Sequence, residues 1–392
     1  MRMSAWILLA CGSAAFAASP GAANEKQAAE AARQVVVYRE PGHFAAWPAN
    51  NGIWVWGDEI LVGFTLGYYK ANDQSHSIDR DRPARAVLAR SLDGGETWKL
   101  EDPENFVGDG GAPAPSPGGM DFGNPNLAIR VGGPPPYHQE GTSFFVSADR
   151  GRAWRGPYLF SGLEKLKLTA RTDSLVGPRD ALLFLSADQP GVKAGNYQDR
   201  AFVARATEGG RSFEFVSWIT GEPHSTRSVM PSSARVSNSE IVSALRRRDD
   251  SHSIRRNWID LHASTDNGAT WKLRSKVADT DQPQTAHNGN PPALVRLRDG
   301  RIVVTYGYRS KPYGIRARIS RDTGRTWGRE IVLRGDGATW DLGYSRSVQR
   351  GDGKVVTIYY FTTAAHPEQH IAATIWDPNA AVFADGQSLM DR

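Results

Sequence analysis

Ser91-Leu92-Asp93-Gly94-Gly95-Glu96-Thr97-Trp98 is one of four versions of a single phrase in this chain. The others are Ser147-Ala148-Asp149-Arg150-Gly151-Arg152-Ala153-Trp154, Ser264-Thr265-Asp266-Asn267-Gly268-Ala269-Thr270-Trp271 and Ser320-Arg321-Asp322-Thr323-Gly324-Arg325-Thr326-Trp327. A worn fifth copy, Ala206-Glu208-Gly210-Phe213, stands between the second and third. Successive first positions are 56, 59, 58 and 56 residues apart, a spacing regular enough to mean a repeat architecture. Each copy has turn chemistry at its centre. Asp caps its own turn through the carboxylate, and Gly supplies a backbone angle closed to other residues. Ser adds a local bond to nearby amides. The closing Trp brings a large apolar face to bury and one N–H to satisfy. The phrase therefore reads as a hairpin turn pinned by an aromatic plug, and its residues as structural.

The phrase resembles the Asp-box, or BNR repeat, of the sialidase superfamily, over roughly residues 38 to 376. That resemblance implies an all-β fold, a six-bladed β-propeller with Asp-box repeats. A period near 57 fits one four-stranded blade per repeat. Six apolar openers are legible: Gly52-Phe64, Asn124-Val131, Asp180-Ala187, Met230-Leu245, Pro292-Tyr306 and Ser347-Tyr360. The last is followed by no box, and its outer strand is expected at Ile371-Trp376, with Gln34-Tyr38 closing the ring against it. A seventh blade would need some fifty further residues. The domain reading is residues 1–17 as a signal peptide and 35–392 as one propeller.

The start carries the export reading. Arg2 is followed by an apolar Ala5-Phe16 and an Ala15-Phe16-Ala17 cleavage pattern. The run is too short for a permanent anchor, so no transmembrane segment is expected. Leu8-Leu9-Ala10-Cys11 resembles a bacterial lipoprotein box, which would place the mature N-terminus at Cys11 instead. Cys11 is the only cysteine, so a protein cleaved after Ala17 holds no disulfide. The net charge of +5 is spread along the chain with no nucleic-acid motif beside it, which argues against DNA or RNA and leaves room for acidic ligands. A monomer is expected. No phosphate-binding glycine loop or nucleotide fold appears, so no cofactor is expected. The histidines lack a zinc spacing, so no metal is expected either.

In a propeller the mouths of the inner strands converge on one axial pocket. The polar residues flanking the openers are therefore the candidates, and Arg, His and Asn dominate them. Guanidinium groups grip carboxylates in a bidentate fork, so an acidic oligo- or polysaccharide is the expected partner. The family resemblance implies an exo-acting hydrolase with a tyrosine nucleophile. It places Tyr344 as the nucleophile, Asp79 as acid/base, and Arg246, Arg247 and Arg309 as the carboxylate clamp. Arg227, Arg346, Trp47 and Asn51 are further substrate-binding candidates. Glu59 and Glu222 are possible partners for Tyr344. The chain also departs from the family. Ala45-Ala46-Trp47-Pro48 stands where the family has Phe-Arg-Ile-Pro, and Tyr359-Tyr360-Phe361 where it ends in Tyr-Glu. His43, His76, His224 and His287 flank inner strands, with His76 and His287 the candidates for proton transfer. Some related propellers are lyases or rhamnosidases on uronate polysaccharides, where Arg neutralises the carboxylate and His or Tyr takes the neighbouring proton. A non-catalytic carbohydrate-binding propeller is the third reading.

Overall fold

The computed structural model describes residues 32–106, 112–132, 142–169, 171–188, 199–221, 226–250, 254–282 and 289–380. The expected signal peptide, Cys11, Glu222, His224 and His287 lie outside these residues.

The strands form six antiparallel sheets, each a blade of the ring. Blade one runs β2 (His43–Ala46) and β3 (Ile53–Trp56), both against β4 (Glu59–Tyr68), then β5 (Arg85–Ser91) and β6 (Lys99–Glu101). Blade two is β7 (Ala128–Gly132), β8 (Ser143–Ser147) and β9 (Arg155–Tyr158). Blade three is β10 (Lys167–Leu168) and β11 (Ser174–Val176), both against β12 (Ala181–Asp188), then β13 (Asp199–Thr207) and β14 (Ser212–Trp218). Blade four is β15 (Thr226–Arg235), β16 (Ile241–Asp249), β17 (Arg256–Ser264) and β18 (Lys272–Asp279). Blade five is β19 (Ala293–Arg296), β20 (Ile302–Tyr308), β21 (Gly314–Ser320) and β22 (Ile331–Arg334). Blade six is β23 (Gly343–Gln349), β24 (Val355–Thr363) and β25 (His366–Trp376), and its outermost strand is β1 (Ala32–Tyr38) from the start of the domain. Val35 pairs with Ala373, so the ring closes as the sequence predicts.

Middle strands are covered on both faces by neighbouring blades. This is why β4, β12 and β24 read as nearly continuous apolar runs rather than as alternation. The opener at Asp180-Ala187 needs correction. Its strand, β12, takes the second place in the blade, not the innermost. Blade three has two short strands inside β12. Blade two has three described strands instead of four, and a four-residue helix, α1 (Pro48–Asn51), packs against β7.

The boxes sit in the turn between the third and fourth strands. Strand alternation puts that turn at the opposite end of the ring from the start of β23 and the end of β20. In the third box Ser264 Oγ accepts from the Gly268 amide at 2.8 Å and donates to Asp266 at 2.7 Å. Asp266 caps the Thr270 amide at 2.8 Å and hydroxyl at 2.6 Å, and Trp271 closes on the Gly268 carbonyl at 3.1 Å. These donors, led by the Thr270 hydroxyl, hold the Asp266 carboxyl down at about 2. Asp93 and Asp322 repeat the pattern, their donors outweighing the upward push of burial. The phrase is thus spent on its own turn. No helix among the described residues is long and apolar enough to cross a membrane.

Candidate active site

At the end of the ring away from the boxes, β23 begins with a bulge. Gly343 pairs with Tyr360 and Arg346 with Ile358, leaving Tyr344 and Ser345 outside the ladder. A bulge re-aims a side chain, and here Tyr344 takes φ 49°, a left-handed angle that costs a non-glycine residue roughly 1–2 kcal/mol. Asn290 holds it there. Its carbonyl oxygen accepts from the Tyr344 amide at 2.8 Å and the Gly307 amide at 3.3 Å, and its amide nitrogen donates to Leu342 O at 2.9 Å. Asn290 is fully buried, and a Cβ on Gly343 would sit 2.4 Å from its side chain, so glycine is required there. Blade four repeats the device, with Met230 at φ 54° in a bulge of β15, and Trp47 at φ 62° stands before α1. Trp47, Met230 and Tyr344 pack in one core cluster.

Arg246 and Arg309 frame the Tyr344 phenol. Arg246 donates to its oxygen at 3.2 Å, and the two guanidinium carbons lie 5.7 and 5.5 Å from its ring centre. Burial pushes the phenol up, but Arg246, Arg309 and then Arg171 hold it below its ordinary value. Burial takes Arg246 down to about 10. Tyr344 opposes that fall, and Arg227 and Arg309 add to it. Arg309 donates to Leu342 O and, at 2.8 Å, to the Tyr360 hydroxyl. Tyr360 passes the chain on to Asp341 at 2.6 Å.

Asp341 is the hub of a second group. Besides Tyr360, its carboxylate takes His76 Nδ1 at 2.6 Å, Gln369 Nε2 at 2.9 Å and the Ser77 amide at 3.3 Å. Burial raises this carboxyl, yet His76 and the other donors hold it below the usual range. The His76 ring lies between Trp47, at 5.0 Å, and Trp340, at 5.9 Å. The loop carrying His76 therefore reaches across from blade one to blade six.

The structure thus brings Tyr344, Arg246, Arg309, His76 and Trp47 together. It disposes of the other candidates differently. Arg247, next along β16, points to the opposite face, where it pairs with Asp260 at 3.0 Å and backs Trp258. Arg227 is bound to Asp199, with Arg246 and Arg248 both within its electrostatic reach. Arg346, two residues below Tyr344, is buried and donates to Ala49 O and Thr172 O, a crosspiece between blades. Beside it lies an axial cavity of about 200 Å³ whose wall includes Asp173. Asn51 is 1% exposed and spent on Thr65, Trp47 O and Arg130. Asp79 lies 3.5 Å from Lys70 and caps the Asp81 amide. Glu59 is no partner for Tyr344, because Arg90, Arg150 and Arg152 hold it beside the second box. Arg171, Asp341, Tyr360 and Asn290 carry more of the site than the sequence reading allowed. All but Tyr360 stand among the polar residues at blade mouths, which was the only available signal. Among the described residues, no three His, Cys, Asp or Glu side chains converge as a metal ion requires.

Comparison with known proteins places the fold. A protein of unknown function from Dyadobacter fermentans superposes with a TM-score of 0.65 at 24% identity, over 88% of this chain and 98% of its own. An α-L-arabinanase from Penicillium chrysogenum, solved with arabinobiose, gives 0.59 at 16% identity over 88% and 97%. A sialidase from Streptococcus pneumoniae gives 0.54 at 9% identity over 88% and 71%. At such identities the likeness is one of fold. A search of curated proteins returned no match. The family model for the BNR repeat-like domain matches residues 133–357, more than half of the sequence, and the chain belongs to that family.

Proposed function

We propose that the protein is an exported glycoside hydrolase that removes an acidic sugar from the end of a glycan, with Tyr344 as nucleophile. The observation that carries this reading is the setting of the Tyr344 oxygen. Its hydrogen-bond partner, Arg246, is a donor, and the positive charges around it favour the phenolate. An activated nucleophile needs such a depressed pKa. The same guanidinium groups would receive the sugar's carboxylate. That two of the structural neighbours are described as an arabinanase and a sialidase fits a carbohydrate substrate.

In the first step the phenolate oxygen attacks the anomeric carbon as the bond to the leaving oxygen breaks. His76 gives that oxygen a proton. In the second step His76 takes a proton from water, whose oxygen displaces Tyr344 and releases the sugar. We assign this role to His76 in preference to Asp79, because Asp341 fixes Nδ1 and so presents Nε2, whereas Asp79 is engaged by Lys70.

The His76–Asp341 pair also supports a second reading, a uronate lyase in which Tyr344 or His76 removes the proton beside the carboxylate. Products separate the two. Wild type and Tyr344→Phe would be screened on sialosides and uronate polysaccharides, recording reducing ends and ultraviolet absorbance together. The hydrolase reading expects new reducing ends without new absorbance, lost by orders of magnitude in Tyr344→Phe. New absorbance on a uronate polymer would defeat it.

A further inference from the structure

A groove of about 530 Å³ lies on the rim between blades four and five, and nothing in the chemistry above uses it. Trp258 and Tyr308 supply its aromatic surface. Both rings are backed by cations. Arg247 lies 5.7 Å from the Trp258 ring centre and Arg316 lies 3.7 Å from that of Tyr308. One face of the Tyr308 ring is therefore taken up by the protein itself. Asn257, 2% exposed, lines the same groove. Its amide nitrogen donates to Asp281 at 2.9 Å, and its carbonyl oxygen is buried without a partner.

The groove borders the Tyr344 site through the residues next to Arg309. Tyr308 directly precedes Arg309, the Arg309 amide donates to Thr280 O at 2.8 Å, and Asp281 helps to hold the Arg309 guanidinium charged. The charge changes sign along the way. Around Tyr344 stand Arg246, Arg309 and Arg171. The groove sets Asp249, Asp279 and Asp281 against Arg256 and Lys276, with Lys276 and Asp279 paired at 2.7 Å. A second carboxylate-bearing sugar would meet repulsion here, whereas an uncharged pyranose offers an apolar face to the rings and hydroxyls to the carboxylates.

The geometry points to the groove as a subsite for a neutral pyranose, the sugar to which the acidic terminal residue is attached. The identity of the terminal sugar rests on the function proposed above; the groove's preference does not. The substrate is then an acidic cap on a neutral chain and not a continuous polyuronate.

Two measurements test this. In the first, cellobiose is titrated into the full-length protein while the Trp258 indole N–H is followed by nuclear magnetic resonance, with wild type, Trp258→Ala and Tyr344→Phe compared by calorimetry. Millimolar binding is expected in wild type and Tyr344→Phe and at least a tenfold loss in Trp258→Ala. Absence of binding to wild type, or equal binding by Trp258→Ala, overturns the subsite whatever reaction the protein catalyses. In the second, kcat/KM is compared for sialyllactose and an aryl sialoside. Trp258→Ala should lower the first about tenfold through KM and leave the second within twofold. Parallel changes in both would assign Trp258 to the fold instead. If neither is turned over, the proposed hydrolase fails and cellobiose binding still decides the groove.

Discussion

Replacing Asn290 with Ala tests whether the left-handed Tyr344 is held by one buried side chain. Three hydrogen bonds disappear. Leu342 O keeps its bonds from Arg309, so it stays satisfied. The amides of Tyr344 and Gly307 lose the oxygen they share. Each buried amide left open costs about 1–2 kcal/mol, which gives roughly 2–4 kcal/mol in all. For a cooperative unit of this size a loss on that scale lowers Tm by roughly 3–6 °C. Differential scanning fluorimetry would read the shift, and turnover of whichever acidic glycan the screen identifies would read the site. Because the staple fixes φ at Tyr344, activity should fall more than tenfold at temperatures where the variant remains folded. A Tm within 1 °C of wild type, with unchanged turnover, would refute the staple.

Asp341→Asn should leave the fold in place but lower kcat more than tenfold, since His76 loses the carboxylate that fixes Nδ1. An unchanged kcat would assign Asp341 to structure alone. Asp266, held near 2, contributes stability that is full above about pH 4 and lost as pH falls through 2. Asp266→Ala should therefore melt lower than wild type at pH 7, and the gap should close towards pH 2. Asp173 has the opposite sign. Burial raises it to about 7, against Arg346 and Ser233, so ionising it costs stability as pH rises from about 4 through 7. Asp173→Asn should raise Tm at pH 8 and leave it unchanged at pH 4; equal shifts at both would contradict the assignment.

Much of the fold was legible because its signal is local. The boxes are eight-residue turns whose Ser, Asp, Gly and Trp bond mainly to one another, so the phrase survives intact in the sequence. Ring closure by Gln34-Tyr38 could be read by counting strands. The inner edge of blade three was misread because an apolar run marks burial, and the second strand is the one buried on both faces. The site is harder, since its parts come from several blades. The resemblance singles out Tyr344 and Arg309, but Arg246 and Arg247 are neighbours that differ by one step of strand alternation. Only the pairing of β16 with its neighbours decides which one faces the axis. Arg346 looked equivalent to the others, yet it lies two residues beyond the bulge and is drawn into a crosspiece. The Asp341 hub joins residues 265 and 28 positions away, a distance at which no sequence pattern speaks.

The central claim is that the Tyr344 oxygen forms a bond to sugar. A fluorinated glycosyl fluoride carrying a carboxylate slows the second step more than the first, so the glycosyl-enzyme accumulates. Intact mass followed by peptide mapping would then locate the sugar. The account predicts one added glycosyl group on the peptide containing Tyr344, absent from Tyr344→Phe. An adduct on a different residue, or turnover of the natural glycan with an unsaturated product and no adduct, would contradict it.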